Sequence, residues 1–266
     1  MSRIVYDFGM NNGDDVDYYL QKGHIVVAVE ANPKLCQDSL LRFSEPVSSG
    51  RLKILNVALS TKNQDGEFYI HRTNHVLSQL PKPSPDIASQ FDRISLQQRT
   101  PSSIIMEYGE PHYIKVDLEG IDHLILSELF SHNIKPAFIS AESHSIEVFA
   151  RLVSADYKAF NLVFGSSVSK TYRDTPISCE DGTTKNYSFK HHSAGPYGED
   201  ITSQWLDPNS FFYLLASKKL GWIDIHASKF IEPISTHRTA TKLSLKDHLI
   251  DLMPSLIRMI TSNHKI

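Results

Sequence analysis

Cysteine is nearly absent from this chain: Cys36 and Cys179 are the only two in 266 residues. Two thiols cannot build a disulfide framework, and they fit a reducing compartment. Long apolar runs are missing too; nothing approaches the roughly 20 residues that a membrane-spanning helix needs. There is no excess of one charge. The 27 Lys and Arg nearly balance the 30 Asp and Glu, for a formal net charge of -3, and no basic tract stands out. A nucleic-acid partner is therefore not expected. The opening residues, MSRIVYDFG, show neither the apolar core nor the small-residue cleavage site of a signal peptide. A cytoplasmic location without a transmembrane segment is the expectation. No internal repeat is visible.

What is present suits a globular chain with a sizeable core: 41% hydrophobic and 21% charged residues. The length suits one large domain or a domain with an appended lobe. Short β-rich runs alternate with amphipathic segments. Arg3 to Phe8 reads as a strand, Asp14 to Lys22 as a helix, and His24 to Glu30 as a strand apolar enough to be buried on both faces. A helix from Pro33 and a strand over Leu52 to Leu59 follow. Residues 60–100 read as a long polar loop, with a short strand over Gly66 to Ile70. Thr100-Pro101 starts a helix. Strands over His112 to Asp117, Pro136 to Glu142 and Lys158 to Phe164 alternate with helices over Ile121 to Phe130 and Ser145 to Ala155.

Such strand–helix–strand repeats predict an α/β fold, Rossmann-like and doubly wound, with a mostly parallel sheet. Residues 165–207 read as a long loop or lid insertion. A helix over Pro208 to Ser217 and a late strand over Trp222 to His226 close a domain spanning 1–230. An irregular C-terminal extension follows, with residues 231–266 read as an amphipathic helical tail. In it Leu245, Leu249, Leu252, Leu256 and Ile260 stand at helical spacing, a core-packing helix or a candidate homodimer seam. Mixed charges set that tail apart from membrane-binding helices.

The strongest chemical signal is YDFGMNNG followed by VAVEANP. Ligands of open α/β sheets bind beyond the carboxyl ends of the strands. Gly9 and Gly13 allow a sharp turn and close approach. Glu30, 17 residues after Gly13, can accept hydrogen bonds from both ribose hydroxyls of an adenosine. The G-x-x-x-G spacing lacks the G-x-G-x-x-G that brings backbone onto a pyrophosphate. Asp14 and Asp15 at the next helix start would oppose a phosphate. Both points favour S-adenosylmethionine, which carries no phosphate, over a nicotinamide dinucleotide.

DFGMNNG, VEANP, NVALS, YIKVDLEGID and ISAESH stand in the order seen in FkbM-type methyltransferases, which this chain resembles over about residues 3–164; GPYGED at 195–200 is similar to a downstream turn of that family. The resemblance implies a class I methyltransferase fold, S-adenosylmethionine as donor and a hydroxyl acceptor on a sugar, glycan or other small metabolite. Expected cofactor contacts along these motifs are Asp7, Gly9, Asn11, Gly13, Glu30, Ala31, Ala58 and Asp117.

Asp117 ends the central strand, with Glu119 in the turn behind it; Glu142 and His144 close the next strand. All four open onto one crevice. His144 is the expected general base, with Asp117 and Glu119 as alternatives, because imidazole, with a reference pKa of about 6.5, is largely neutral near pH 7. Glu142 is expected to orient it or bind the acceptor. Asp117, Glu119, Glu142 and His144 could ligate a divalent ion, but the spacing demands none and none is expected. Lys115 shares the strand face of Asp117 and can neutralise it. His75, Ser78 and His192 are expected to line the acceptor side from two loops. Trp205, Tyr197, Phe211 and Phe212 could form a stacking wall or simply fill the core.

Three competing readings remain: N- or C-methylation of a small metabolite, a catalytically inactive nucleotide-binding or scaffold protein, and a nicotinamide oxidoreductase. The last is disfavoured by the paired aspartates; the acceptor chemistry separates the first, because fold does not fix it.

Overall fold

A computed structural model of the chain describes residues 3–191, 193–218 and 220–236. The β-branched runs IVYDF and IVVAV form β1 (Ile4–Phe8) and β2 (Ile25–Val29), each buried on both faces as a central parallel strand must be. Between them lies α1 (Asp14–Gln21). Asn32 caps α2 (Pro33–Arg42), its side chain accepting from the Lys34 amide at 3.0 Å, with proline at the first helical position. The short α3 (Ser44–Ser48) follows.

The strand expected over Leu52 to Leu59 is two. β3 (Leu52–Leu55) joins the main sheet, and after a break at Asn56-Val57, β4 (Ala58–Leu59) joins another. The loop expected over 60–100 is largely sheet: β5 (Gln64–His71) and β6 (Phe91–Arg99) pair antiparallel, and β4 lies parallel to β6. The strand expected over Gly66 to Ile70 lies within β5, whereas β6 is hidden because only Phe91 and Gln98 of its nine residues are buried, so no apolar alternation marks it.

Thr100 caps α4 (Pro101–Tyr108) through the Ser103 amide. Then come β7 (Pro111–Val116), α5 (Asp122–Ser131), β8 (Phe138–Ser143), α6 (Ile146–Ser154) and β9 (Ala159–Phe164). Ser145 caps α6. Residues 165–207 hold α7 (Val168–Thr171) and a hairpin of β10 (Thr175–Ser178) with β11 (Thr184–Tyr187). α8 (Pro208–Ala216) and β12 (Gly221–Ser228) complete the described elements.

The main sheet runs β3-β2-β1-β7-β8-β12-β9. All neighbours are parallel except β12, which is antiparallel to β8 and β9. This is the doubly wound, mostly parallel α/β fold that the strand–helix repeats predict. The strand order reverses between β1 and β7, which opens a crevice beyond their carboxyl ends. One face packs on α4, α5, α6 and α8 through Ile104, Ile125, Leu129, Leu152 and Phe211. The other packs on α1 and the 165–205 segment through Tyr19, Tyr172, Ile177, Phe189 and Tyr197.

The 165–207 segment is thus a core-forming layer. Ile234 bridges to Leu206 beyond it. Among the described residues no helix is long and apolar enough to cross a membrane. Residues 237–266, which carry the leucine-spaced tail, and His192 lie outside the described residues.

Candidate active site

The DFGMNNG turn is tied to the end of β2: the amides of Gly9 and Met10 both donate to the Val29 carbonyl, at 3.0 and 2.9 Å. Gly9 has φ +94°, and a Cβ there would sit 1.9 Å from the carbonyl oxygen of Asp117. Only glycine lets the two strand ends approach so closely. Gly13, at φ +77°, precedes α1 and faces the Phe43 ring.

The turn brings Asn11 to Glu30. The Glu30 carboxylate accepts the Asn11 amide at 2.8 Å on one oxygen and the Asn32 amide at 2.7 Å on the other. Each oxygen keeps a second lone pair. Burial outweighs these bonds and pushes the carboxyl up to about 7.

Glu30 stands in the wall of a cavity of about 230 Å³ with Gly9, Asn11, Ala31, Ala58 and Asp117. Of the expected cofactor contacts, those six line it. Asp7 and Gly13 do not. Asp7 is fully buried beside Lys115, because its side chain lies on the strand face shared with Lys115 rather than at the strand end. The residues present fit an adenosine. Glu30 offers two acceptor positions, Leu35 and Val57 add apolar surface, and Asn11 Oδ1 is buried with no hydrogen-bond partner among the described residues.

Lys115 neutralises more than Asp117. Its ammonium, 2% exposed, lies 3.3 Å from Asp7, 3.3 Å from Asp15 and 3.4 Å from Asp117, and donates to the Gly9 carbonyl at 3.1 Å. Burial opposes its charge, but these carboxylates and Asp224 hold it well above the usual lysine value.

Asp15 also accepts from the Ser193 hydroxyl and the Ala194 amide, fastening the 193–195 segment to α1. Asp14 pairs with Arg42 at 3.0 Å. Neither aspartate lines the cavity. The expectation that they repel an anion there is therefore corrected: Asp14 is paired with Arg42, and Asp15 is turned to Lys115 and Ser193 away from the cavity.

The same cavity is also lined by Glu119, Glu142 and Trp222. Glu119 sits at φ +52° in a turn braced by Asp122, whose two oxygens accept the Leu118 and Gly120 amides at 3.1 Å. Burial, then Asp117 and Glu142, push the Glu119 carboxyl up to about 8. His144 Nε2 lies 2.7 Å from Glu142 and 3.9 Å from Glu119. The bond to Glu142 raises the imidazole to about 9, so it is charged near neutral pH. The neutral histidine expected from its reference pKa is not its state here, and His144 does not line the cavity.

Glu119, Glu142 and His144 bring one ligand atom each within 4.8 Å of one another, a geometry able to hold a cation. Asp117, the fourth expected ligand, is not in that group. Asp122 and Asp224 were missed. Asp122 had a sequence signal, an aspartate at a helix start just after a glycine turn.

The third wall comes from the β5–β6 connection, which contributes His75, Val76, Ser78 and Leu80. His75 and Ser78 stand where expected. No described residue of 165–207 lines the cavity. Of the two readings of the downstream aromatics, the core-filling one holds for three. Trp205, Tyr197 and Phe211 are core, with Tyr197 stacked on Tyr113 at 4.0 Å, and Phe212 lies elsewhere on the surface. The aromatics at the cavity are Phe68 and Trp222.

A family model described as the methyltransferase FkbM domain matches residues 7–161, more than half of the chain. Comparison with curated proteins finds no match. Among similar solved structures is a precorrin-6y C5,15-methyltransferase from Geobacter metallireducens GS-15, 9% identical, with 70% of this chain and 75% of that chain covered and a TM-score of 0.36. A second is StiE O-MT residues 961–1257, 10% identical, covering 97% and 74%, TM-score 0.37. A third is a Burkholderia thailandensis 1,6-didemethyltoxoflavin-N1-methyltransferase with bound S-adenosylhomocysteine, 12% identical, covering 70% and 72%, TM-score 0.32. These likenesses are distant, and the fold stands on the strand order itself.

Proposed function

Since the chain belongs to the FkbM methyltransferase family, a family of S-adenosylmethionine-dependent methyltransferases, we propose that it methylates a hydroxyl of a sugar, glycan or related small metabolite. One observation carries this reading. One and the same cavity is lined by a ribose-type acceptor, Glu30, and by two further carboxylates, Glu119 and Glu142.

Glu30 holds the ribose, and Asp117, partly exposed in the wall between, faces the positive end of the donor. S-adenosylmethionine supplies an activated methyl group when bound. What this chain must add is position and a place for the acceptor's proton. A base suits its task best when its pKa lies near the working pH. Glu119, at about 8 and in the wall, meets that condition. His144 serves as the cationic partner that keeps Glu142 ionised and oriented. The reading uses no metal.

An amine acceptor would also be drawn to these carboxylates, and product analysis separates the two. A cytoplasmic setting belongs to the same proposal, supported by the free thiols of Cys36 and Cys179. The test is calorimetry with S-adenosylhomocysteine followed by transfer of labelled methyl to a panel of hydroxylated metabolites. Binding of the product cofactor without transfer to any hydroxyl, but with transfer to amines, refutes O-methylation.

A further inference from the structure

β12 does not pair evenly with β8. Gly221 lies opposite Ser143, yet Asp224 lies opposite Glu142, so Trp222 and Ile223 are extra residues in a bulge. Bulges beside a site commonly re-aim a side chain. Here Ile223 turns into the core, whereas Trp222 keeps 40% of its surface and lines the cavity next to Glu119 and Glu142.

The indole is held in place. Gly165, the first residue after β9, presents bare backbone to it; a Cβ there would fall 2.0 Å from Nε1 and 2.4 Å from Cδ1. The His191 ring packs at 5.3 Å. A bulge, a glycine and a neighbouring ring thus fix one large aromatic surface at the acceptor end.

The two walls ask for different chemistry from one ligand. An indole face is electron-rich and takes up polarised C–H groups or another ring. Carboxylates accept hydrogen bonds from several hydroxyls at once. A pyranose ring carries both features, a C–H face and a rim of hydroxyls. An open-chain polyol has no such face, and a phenol has only one hydroxyl for two carboxylates.

We propose that Trp222 is the platform on which the acceptor lies, and that the acceptor is a pyranoside whose hydroxyls reach Glu119 and Glu142. This rests on the hydroxyl-methylation reading above.

The test uses the full chain saturated with S-adenosylhomocysteine. The probes are methyl pyranosides of gluco, galacto, manno and rhamno configuration, with sorbitol and phenol as comparisons, and binding is read by saturation-transfer NMR. At least one pyranoside should bind, with transfer strongest to the C–H protons of one ring face. Trp222→Ala should bind it about tenfold more weakly. Trp222→Phe should keep most of the affinity, and Gly165→Val, which displaces the indole, should resemble Trp222→Ala. Calorimetry should give all variants wild-type affinity for S-adenosylhomocysteine. Undiminished pyranoside binding by Trp222→Ala, preference for sorbitol or phenol, or no pyranoside binding by the cofactor-loaded wild type overturns the platform and leaves the methyltransferase reading standing. Failure of the wild type to bind S-adenosylhomocysteine instead sinks that reading, and the platform with it.

Discussion

Replacing Glu30 tests the cofactor end of the cavity most directly. Its two oxygens each accept one backbone amide, from Asn11 at 2.8 Å and Asn32 at 2.7 Å. Glutamine has a single acceptor oxygen, so Glu30→Gln turns an NH2 group toward one of those amides and leaves the other bond uncharged. It also offers the ribose one good acceptor in place of two. Hydrogen bonds to charged groups contribute about 1.5–3 kcal/mol each, so losing one costs roughly ten- to a hundredfold in affinity for S-adenosylhomocysteine. Glu30→Ala loses both ribose bonds and should lie at or beyond the upper end.

The pH dependence adds a second readout. The ribose hydroxyls need the ionised carboxylate, and the free carboxyl titrates at about 7. Binding therefore favours the deprotonated form. Affinity should be level above about pH 7 and fall as pH drops below it, by up to tenfold per unit. Glu30→Gln should show no such fall. Titration calorimetry between pH 5.5 and 8.5 measures both effects. A variant within twofold of wild type, or a wild-type affinity flat down to pH 5.5, refutes the assignment of Glu30.

Glu119→Gln should keep cofactor affinity and lose about 100- to 10,000-fold in kcat, with wild-type kcat rising as pH increases through about 8; a loss confined to His144→Ala would return the base to the imidazole. Lys115→Met leaves three carboxylates without their ammonium, two of them deeply buried, and should cost about 3–5 kcal/mol of stability by urea unfolding; a loss under 1 kcal/mol would contradict the shared-charge picture. Gly9→Ala meets the Asp117 carbonyl at 1.9 Å and a positive φ, so the variant should unfold at lower denaturant and lose cofactor binding; a stable variant with wild-type affinity would mean that the turn relaxes freely.

Much of this was legible in the sequence because the signals are local. β1, β2, β7, β8 and β9 announce themselves as short apolar runs, and a parallel sheet buries both of their faces. Asn32-Pro33 and Thr100-Pro101 mark helix starts because cap and proline act within one turn. Gly9, Glu30, Asp117, Glu119 and Glu142 could be placed from their positions at strand ends.

Other features depend on partners distant in the chain. β6 carries mostly polar residues, and only its pairing with β5 and β4 makes it a strand. The 165–207 segment looks like a loop until Tyr172, Ile177, Phe189 and Tyr197 pack onto α1. The charge state of His144 follows from a 2.7 Å contact that no spacing reveals. Lys115 meets Asp7, Asp15 and Asp117 only once β1, α1 and β7 lie side by side. Trp222 reaches the cavity through a bulge against β8 and the bare backbone of Gly165. The sequence by itself determined the layers and the turn and strand-end residues that line the cavity, since periodicity and turn chemistry act over a few residues. Which charges are shared and which ring lines the cavity were decided by the tertiary structure, because burial and Coulomb interactions depend on distance in space rather than along the chain.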